Sequence, residues 1–478
     1  MTGLRTIVRN TALQAGAEVL TKLASLAFYV VMARELGSAG FGDYMFALSL
    51  VVLLTSLAGF GTDGLLTREV SRDRDELHRL FWNSIALKVV LGLATTAIAL
   101  LVSILGDYSP AVNAAIVLLA LGTLLELLAK TIGATFLAYD DLRPVAAGLI
   151  LQRFSTAAGG IIALVAGAGI APVAAIYLGG AALGLASVTL SLYRHELRPR
   201  REISIRRARE VAAQAVPFGL MLIFSTIIFR IDATMLSLFK GPEAVGLYSA
   251  AYRALESVLF LPYAIENALF PTFSRLARAT QPTLASVYEG GLKAIAVITA
   301  PLGVAFLLFG GPLLELLYGT EYGDAERAMH WLGGAAVLYG ISFLSVSLLA
   351  AQRKTRVLAW TVGSVMVFNI VLNLLVIPRY SLDGAAAVTT ITEAVQALAL
   401  GVLARRVAGP VSVRRITTSP VLGAAAMAGV ALVTGTSVLA FAAAGAAYLI
   451  VVIGAERALF PADLARFTGY VQARLGRA

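Results

Sequence analysis

Residues 110–139 read PAVNAAIVLLALGTLLELLAKTIGATFLAY, thirty residues with only two charges, Glu126 and Lys130. At a rise of about 1.5 Å per residue, a helix of this length reaches across the hydrocarbon core of a bilayer while satisfying its own backbone. Glu126 and Lys130 are four residues apart, so they share one face of that helix. Stretches of the same kind recur at 11–36, 43–66, 81–106, 144–168, 171–193, 212–239, 244–272, 287–317, 326–351, 357–377, 381–404, 416–434 and 437–455. The pattern predicts an all-α polytopic membrane protein of about fourteen transmembrane helices. The last two spans are the shortest and richest in Ala and Gly.

The composition of the 478 residues agrees, with 59% hydrophobic and 14% charged. A soluble protein carries roughly a quarter charged residues, so this chain cannot cover a water-soluble surface. There are no cysteines, which excludes disulfides, thiolate zinc sites and iron–sulfur centres. The three histidines, His78, His195 and His330, lack any metal-ligand spacing. No G-x-x-x-x-G-K-[ST] loop or H-E-x-x-H helix occurs, so neither an ATPase nor a metalloprotease is expected. No cofactor and no enzyme activity are expected. Asp140 and Asp141 read as part of a short turn, not as an acid–base pair. The first apolar stretch is too long for a cleaved signal core and reads as a retained helix.

Net charge is +10. Membrane topology accounts for most of it, without nucleic acid. With the N-terminus inside, the inner segments hold 27 Lys and Arg residues, and the outer ones only Arg34, Lys240, Arg327 and Arg379. This asymmetry predicts a multi-pass protein of the cytoplasmic membrane with both termini cytoplasmic. The densest basic run, 194–211, reads as a cytoplasmic linker beside anionic headgroups. A C-terminal stripe of Leu464, Phe467, Val471 and Leu475 predicts an amphipathic surface helix.

Gly37-Ser-Ala-Gly-Phe-Gly42-Asp-Tyr44 and Gly241-Pro-Glu-Ala-Val-Gly246-Leu-Tyr248 share the pattern G-x-x-x-x-G-x-Y at an offset of 204 residues. Each follows the first helix of a six-helix set, so the two halves form a parallel repeat. The expected organisation is an N-terminal lobe at 1–193, the linker at 194–211 and a second six-helix lobe at 212–404. Two added helices at 405–455 and a tail at 456–478 follow.

Seven basic residues fall within spans: Lys22, Lys88, Lys130, Arg153, Arg230, Arg253 and Lys293. A charge near a helix centre costs roughly 2.5–3.5 kcal/mol on insertion scales and seldom faces lipid. Glu18–Lys22, Glu126–Lys130 and Arg253–Glu256 have pairing distance along a helix, while Arg230 and Asp232 point apart. Excess positive charge in the first half is expected to draw an anionic phosphate-bearing ligand, with Arg153 and Arg253 the leading cavity residues. Lys22, Lys88, Lys130 and Arg230 are the further candidates. Glu18, Glu126, Asp232, Glu256 and Glu393 are candidate ion-coupling groups or charge partners.

Ala33-Arg-Glu-Leu-Gly37, Phe41-Gly-Asp-Tyr44, Gly59-Phe-Gly61 and Thr67-Arg-Glu69 resemble the start of Wzx-type polysaccharide flippases. Arg230-Ile-Asp232, Gly246-Leu-Tyr-Ser-Ala-Ala-Tyr-Arg253 and Leu269-Phe-Pro271 look like the seventh and eighth helices of that family, which belongs to the multidrug/oligosaccharidyl-lipid/polysaccharide exporter superfamily. The resemblance covers most of the chain and is weak beyond about residue 410. It implies two lobes rocking about a central cavity, with a polyprenyl-pyrophosphate-linked oligosaccharide as cargo. It also implies membrane lipids, a polysaccharide polymerase and glycosyltransferases as partners. A cation-coupled multidrug exporter, a peptidoglycan-precursor flippase and a non-transporting assembly scaffold are the alternatives.

Overall fold

The structure, a computed structural model, describes residues 2–195, 197, 199–200, 202–276 and 281–461, the side chains of 2–15, 17–19, 217–218 and 281–282 excepted. The expected amphipathic tail helix and the linker residues Arg198 and Arg201 lie outside the described residues. The described chain is all helix: α1 Thr2–Gly59, α2 Thr62–Arg72, α3 Glu76–Leu105, α4 Pro110–Ala138, α5 Arg143–Val165, α6 Ile170–Arg194 and α7 Ile205–Lys240. It continues with α8 Pro242–Val258, α9 Phe260–Arg275, α10 Gln281–Tyr318, α11 Glu326–Ala351, α12 Thr355–Ala408, α13 Val413–Thr434 and α14 Val438–Leu459.

Eleven helices among the described residues are long and apolar enough to cross a membrane. Two of them are bent rods with the length of two crossings. α1 breaks at Gly37 (φ 65°, ψ 177°), between the spans expected at 11–36 and 43–66, and α12 breaks at Ser381 (φ 51°, ψ −134°), the first residue of the span expected at 381–404. The expected eighth span is drawn as α8 and α9, and helical hydrogen bonding runs through Leu259 between them. Several starts follow ordinary capping chemistry. Ser109 accepts from Val112 N ahead of Pro110, and Ser204, Ser412 and Ser437 cap α7, α13 and α14 in the same way.

Burial runs opposite to that of a soluble protein. Leu105, Leu432, Val433 and Leu439 stand exposed, and the most apolar windows of α3 and α14 are only 22% buried. These are lipid-facing surfaces.

The chain divides into two compact units, Met1–Ala250 with Met366–Ala385, and Ala251–Val365 with Ala386–Ala478. In the first, Leu66, Leu80, Phe81, Phe136, Val211 and Ala215 join one core, and α7 packs with α2 and α3 beyond the basic linker. The linker itself is held against the start of α3. Trp82 Nε1 donates to Pro199 O (2.9 Å), Asn83 Nδ2 to Glu202 O (2.6 Å), and Ser204 N to Asn83 Oδ1 (3.2 Å).

In the second unit, Phe273, Leu284, Tyr288, Leu344, Leu348 and Ala404 form the corresponding core. α14 is fastened to α10 by a Lys293–Glu456 ion pair (2.7 Å) and by Tyr448 Oη donating to Val297 O (2.6 Å). Lys293 also lies 4.1 Å from the Phe460 ring centre.

Candidate functional site

A set of charges inside the spans of the first unit is built around the buried Glu126 of α4. Small residues bring its neighbours in. A Cβ at Gly180 would sit 2.1 Å from Thr156 Oγ1, and one at Gly184 would sit 2.9 Å from Gln152 Cβ, so α6 lies tight along α5. Gly122 leaves room for the Tyr177 ring, which a Cβ there would meet at 2.7 Å, and this sets the phenol one turn from Glu126. Tyr177 Oη donates to Glu126 Oε1 (2.7 Å), Gln152 Nε2 donates to the same oxygen, and Arg153 stands 3.7 Å away. Arg153 and then Lys130 are the cations that act on this carboxylate. Arg153 is 34% exposed, while Lys130 is exposed and makes no ion pair among the described residues. Two cations thus share one buried carboxylate.

Lys88 lies beside this set, and Lys130 acts on it electrostatically. It is fully buried (0% exposed), and its ammonium donates to Asp63 Oδ1 (2.6 Å), Thr131 Oγ1 (2.7 Å) and Leu127 O (3.2 Å). An ammonium has three N–H groups, so none is left for a ligand in this conformation. Asp63, Lys88, Lys130, Glu126 and Arg153 form a chain of charges across α2–α5 with a net charge of +1. Lys22 on α1 is exposed, and the side chain of its expected partner Glu18 lies outside the described residues.

Arg230 is half-buried on α7. Asp232, two residues on, is buried and accepts from Tyr248 Oη (2.8 Å) and Asn373 Nδ2 (2.6 Å), with Asn369 Oδ1 3.2 Å from the same amide. In the second unit, Arg253 pairs with Glu256 at 2.7 Å, and Glu393 is buried on α12. The described geometry brings together Arg153, Lys130, Lys88 and Glu126 within the first unit.

The two turn motifs meet as well. Gly37 and Gly241 share one backbone conformation (φ 65° and 84°, ψ 177° and −179°), which only glycine adopts readily. Past each turn a glycine lies on the other's backbone. A Cβ at Gly42 would fall 1.8 Å from Pro242 O, and one at Gly246 would fall 1.9 Å from Ser38 O. Tyr44 and Tyr248 are both buried beyond them.

A family model described as polysaccharide biosynthesis protein matches residues 7–277, more than half of the chain. The chain belongs to this polysaccharide biosynthesis family. A second model, MatE, matches residues 217–375. The probable low-salt glycan biosynthesis flippase Agl15 of Haloferax volcanii is 23% identical over 371 residues, 76% of each chain. Among solved structures, the lipid II flippase MurJ in an inward closed conformation superposes with a TM-score of 0.79 at 15% identity, covering 94% of this chain and 99% of that one. An inward-facing multidrug resistance MATE transporter of the MOP superfamily gives 0.65 at 15% identity, covering 81% and 94%. The fold is that of the MOP superfamily.

In this member of the polysaccharide biosynthesis family, several partners escape a reading that counts charges alone. Gln152, Tyr177 and Asn373 are neutral, yet each hydrogen-bonds a buried carboxylate. Asp63 carried a usable signal, because it is an acidic residue inside the expected span 43–66.

Proposed function

We propose that this protein is a flippase that carries a lipid-linked oligosaccharide across the membrane by alternating access, for surface-polysaccharide assembly. The observation that carries the reading is the surplus cation of the α2–α5 charge chain. Lys130 and Arg153 exceed what Glu126 can neutralise, and Lys130 is exposed without an ion pair among the described residues. Ammonium and guanidinium groups at a shared site suit a phosphate or pyrophosphate headgroup, the guanidinium through paired N–H bonds. The family model and the flippase function in the name of Agl15 support the same cargo class. On this reading both termini face the cytoplasm, and polymerase and glycosyltransferases act on the same glycan. Lys22, Arg230 and Arg253 are further cavity candidates, and Asp232 is a candidate coupling group.

Deleting the gene in its host and extracting polyprenyl-linked saccharides tests the proposal. One intermediate should accumulate while surface glycan falls. The Lys130→Ala/Arg153→Ala double variant should fail to restore surface glycan while reaching normal membrane levels. Full restoration would remove these residues from the cargo site.

A cation-coupled multidrug exporter is the second reading, favoured by the MatE match over 217–375 and by the buried Asp232 within it. It requires normal glycan and raised sensitivity to cationic drugs in the deletion strain.

A further inference from the structure

The second unit repeats a corner of the first. Ser204-Ile-Arg-Arg207 leads into α7 and Ser412-Val-Arg-Arg415 leads into α13, at an offset of 208 residues. The likeness extends to the contacts. Ser204 Oγ accepts from Arg207 N (3.1 Å) and Ser412 Oγ from Arg415 N (3.3 Å), so each serine caps its helix. The serine amides are held alike as well. Ser204 N donates to Asn83 Oδ1 (3.2 Å) near the start of α3, and Ser412 N to Glu289 Oε2 (2.7 Å) near the start of α10. α7 packs on α3 and α13 packs on α10, so α13 stands to α10 as α7 stands to α3.

Within each corner one arginine fastens the turn and the others face outward. Arg207 pairs with Glu202, and Arg415 pairs with Glu289 (3.3 Å). Arg206 is 90% exposed, and its partner Glu210 (3.2 Å) lies four residues along the same helix, a weak surface pairing. Arg209 and Arg414 are exposed too. Bare branched aliphatics stand beside them, Ile203 (59% exposed) and Ile205 (77%) in the first corner and Val413 (58%) in the second.

The height of these groups selects the occupant. The apolar spans of the two helices begin near 212 and 416, which puts Arg209 and Arg414 within about 5 Å of the hydrocarbon edge along the axis and Ile205 about 10 Å out. The headgroup layer of a bilayer fills that depth. Residues 200–210 hold five Arg against two Glu, and 405–415 hold four Arg and no acid, so the complementary partner is anionic. An anionic phospholipid supplies both a phosphate for the guanidinium groups and an acyl boundary for the aliphatic side chains. The serine caps already engage an amide at the start of each helix, so the surface is made by side chains and not by the helix end.

We propose that the two corners are docking surfaces for anionic phospholipid headgroups, one on each unit, with Arg206 and Arg209 serving the first and Arg414 the second. Each ties the entry of its helix to the membrane surface, whatever cargo the protein carries.

Native mass spectrometry of the full-length protein in neutral detergent, titrated with phosphatidylglycerol or phosphatidylcholine, tests both corners. The wild type should retain phosphatidylglycerol in preference to phosphatidylcholine. Arg414→Gln should weaken binding at its corner about fivefold, the effect of about one surface arginine on an anionic membrane. Arg206→Gln/Arg209→Gln should do the same at the other corner, and the combined variant should lose most of the preference. The fastening residues are untouched, so unfolding midpoints without added lipid should match the wild type. Should a glutamine variant unfold early, Arg206→Lys/Arg209→Lys/Arg414→Lys keeps the charge and should keep the lipid. A wild type with no preference, a combined variant that retains it in full, or a lysine variant that loses it would each overturn the proposal.

Discussion

Gly42→Ala and Gly246→Ala are each expected to cripple the protein, although each adds one methyl group. The new carbon would lie 1.8 Å from the Pro242 carbonyl oxygen in one case and 1.9 Å from the Ser38 oxygen in the other. Carbon and oxygen approach no closer than about 3.3 Å, so two backbone segments must part by more than 1 Å. Neither obstacle is a side chain that can rotate away. The destabilisation should reach about 3 kcal/mol, the upper part of the overpacking range. Gly429→Ala is the control. It lies in α13 with nothing within 4 Å of the added carbon, and a helix interior favours Ala over Gly by up to about 1 kcal/mol. Because the two contacts are reciprocal, separating the turns for one methyl makes room for the other. The double variant should therefore lose less stability than the two single losses added together, the mark of coupled sites. Thermal unfolding of the four proteins in detergent checks this, and strict additivity would show that the glycines do not share one contact.

The same glycines mark how far a single chain can be read. Apolar spans, basic asymmetry and the repeated G-x-x-x-x-G-x-Y were legible because each depends on residue type at a fixed spacing. The bends at Gly37 and Ser381 fall where the hydropathy pattern breaks, since a chain leaving the bilayer must turn there. The partners of the buried charges were not legible. Glu126 and Lys130 share a helical face, yet the closest cation to Glu126 is Arg153 of α5, because the glycines of α6 and Gly122 draw three helices around it. Lys88 has no acidic residue three or four positions away on its own helix, and its partner is Asp63, twenty-five residues away on a short helix. Spacing along one helix limits which residues can meet. Which of them do meet is decided by interhelical approach, and that depends on small residues whose contacts are not visible in hydropathy.

The second large effect concerns that buried pair and is asymmetric. Asp63→Ala should cost about 3–5 kcal/mol, because it leaves a fully buried ammonium with only a hydroxyl and a carbonyl as partners. Lys88→Met should cost less. Asp63 keeps 30% of its side chain exposed and still accepts from Thr131 Oγ1 at 3.0 Å, so the stranded carboxylate can hydrate. Combining the two removes both charges and fills the site with an apolar chain of similar length, which should restore most of the stability lost in Asp63→Ala. Unfolding midpoints of the three variants test the order, and a double variant no better than Asp63→Ala would show that the pair is not the source of the loss. Transport then separates two roles for Lys88. All three of its N–H groups are engaged, so the stabilised double variant should still restore surface glycan, as expected of a lysine that ties α3 to α2 and α4. If stability returns and transport does not, Lys88 must leave Asp63 during the cycle to meet the cargo, and the charge chain of α2–α5 is a moving part of the carrier.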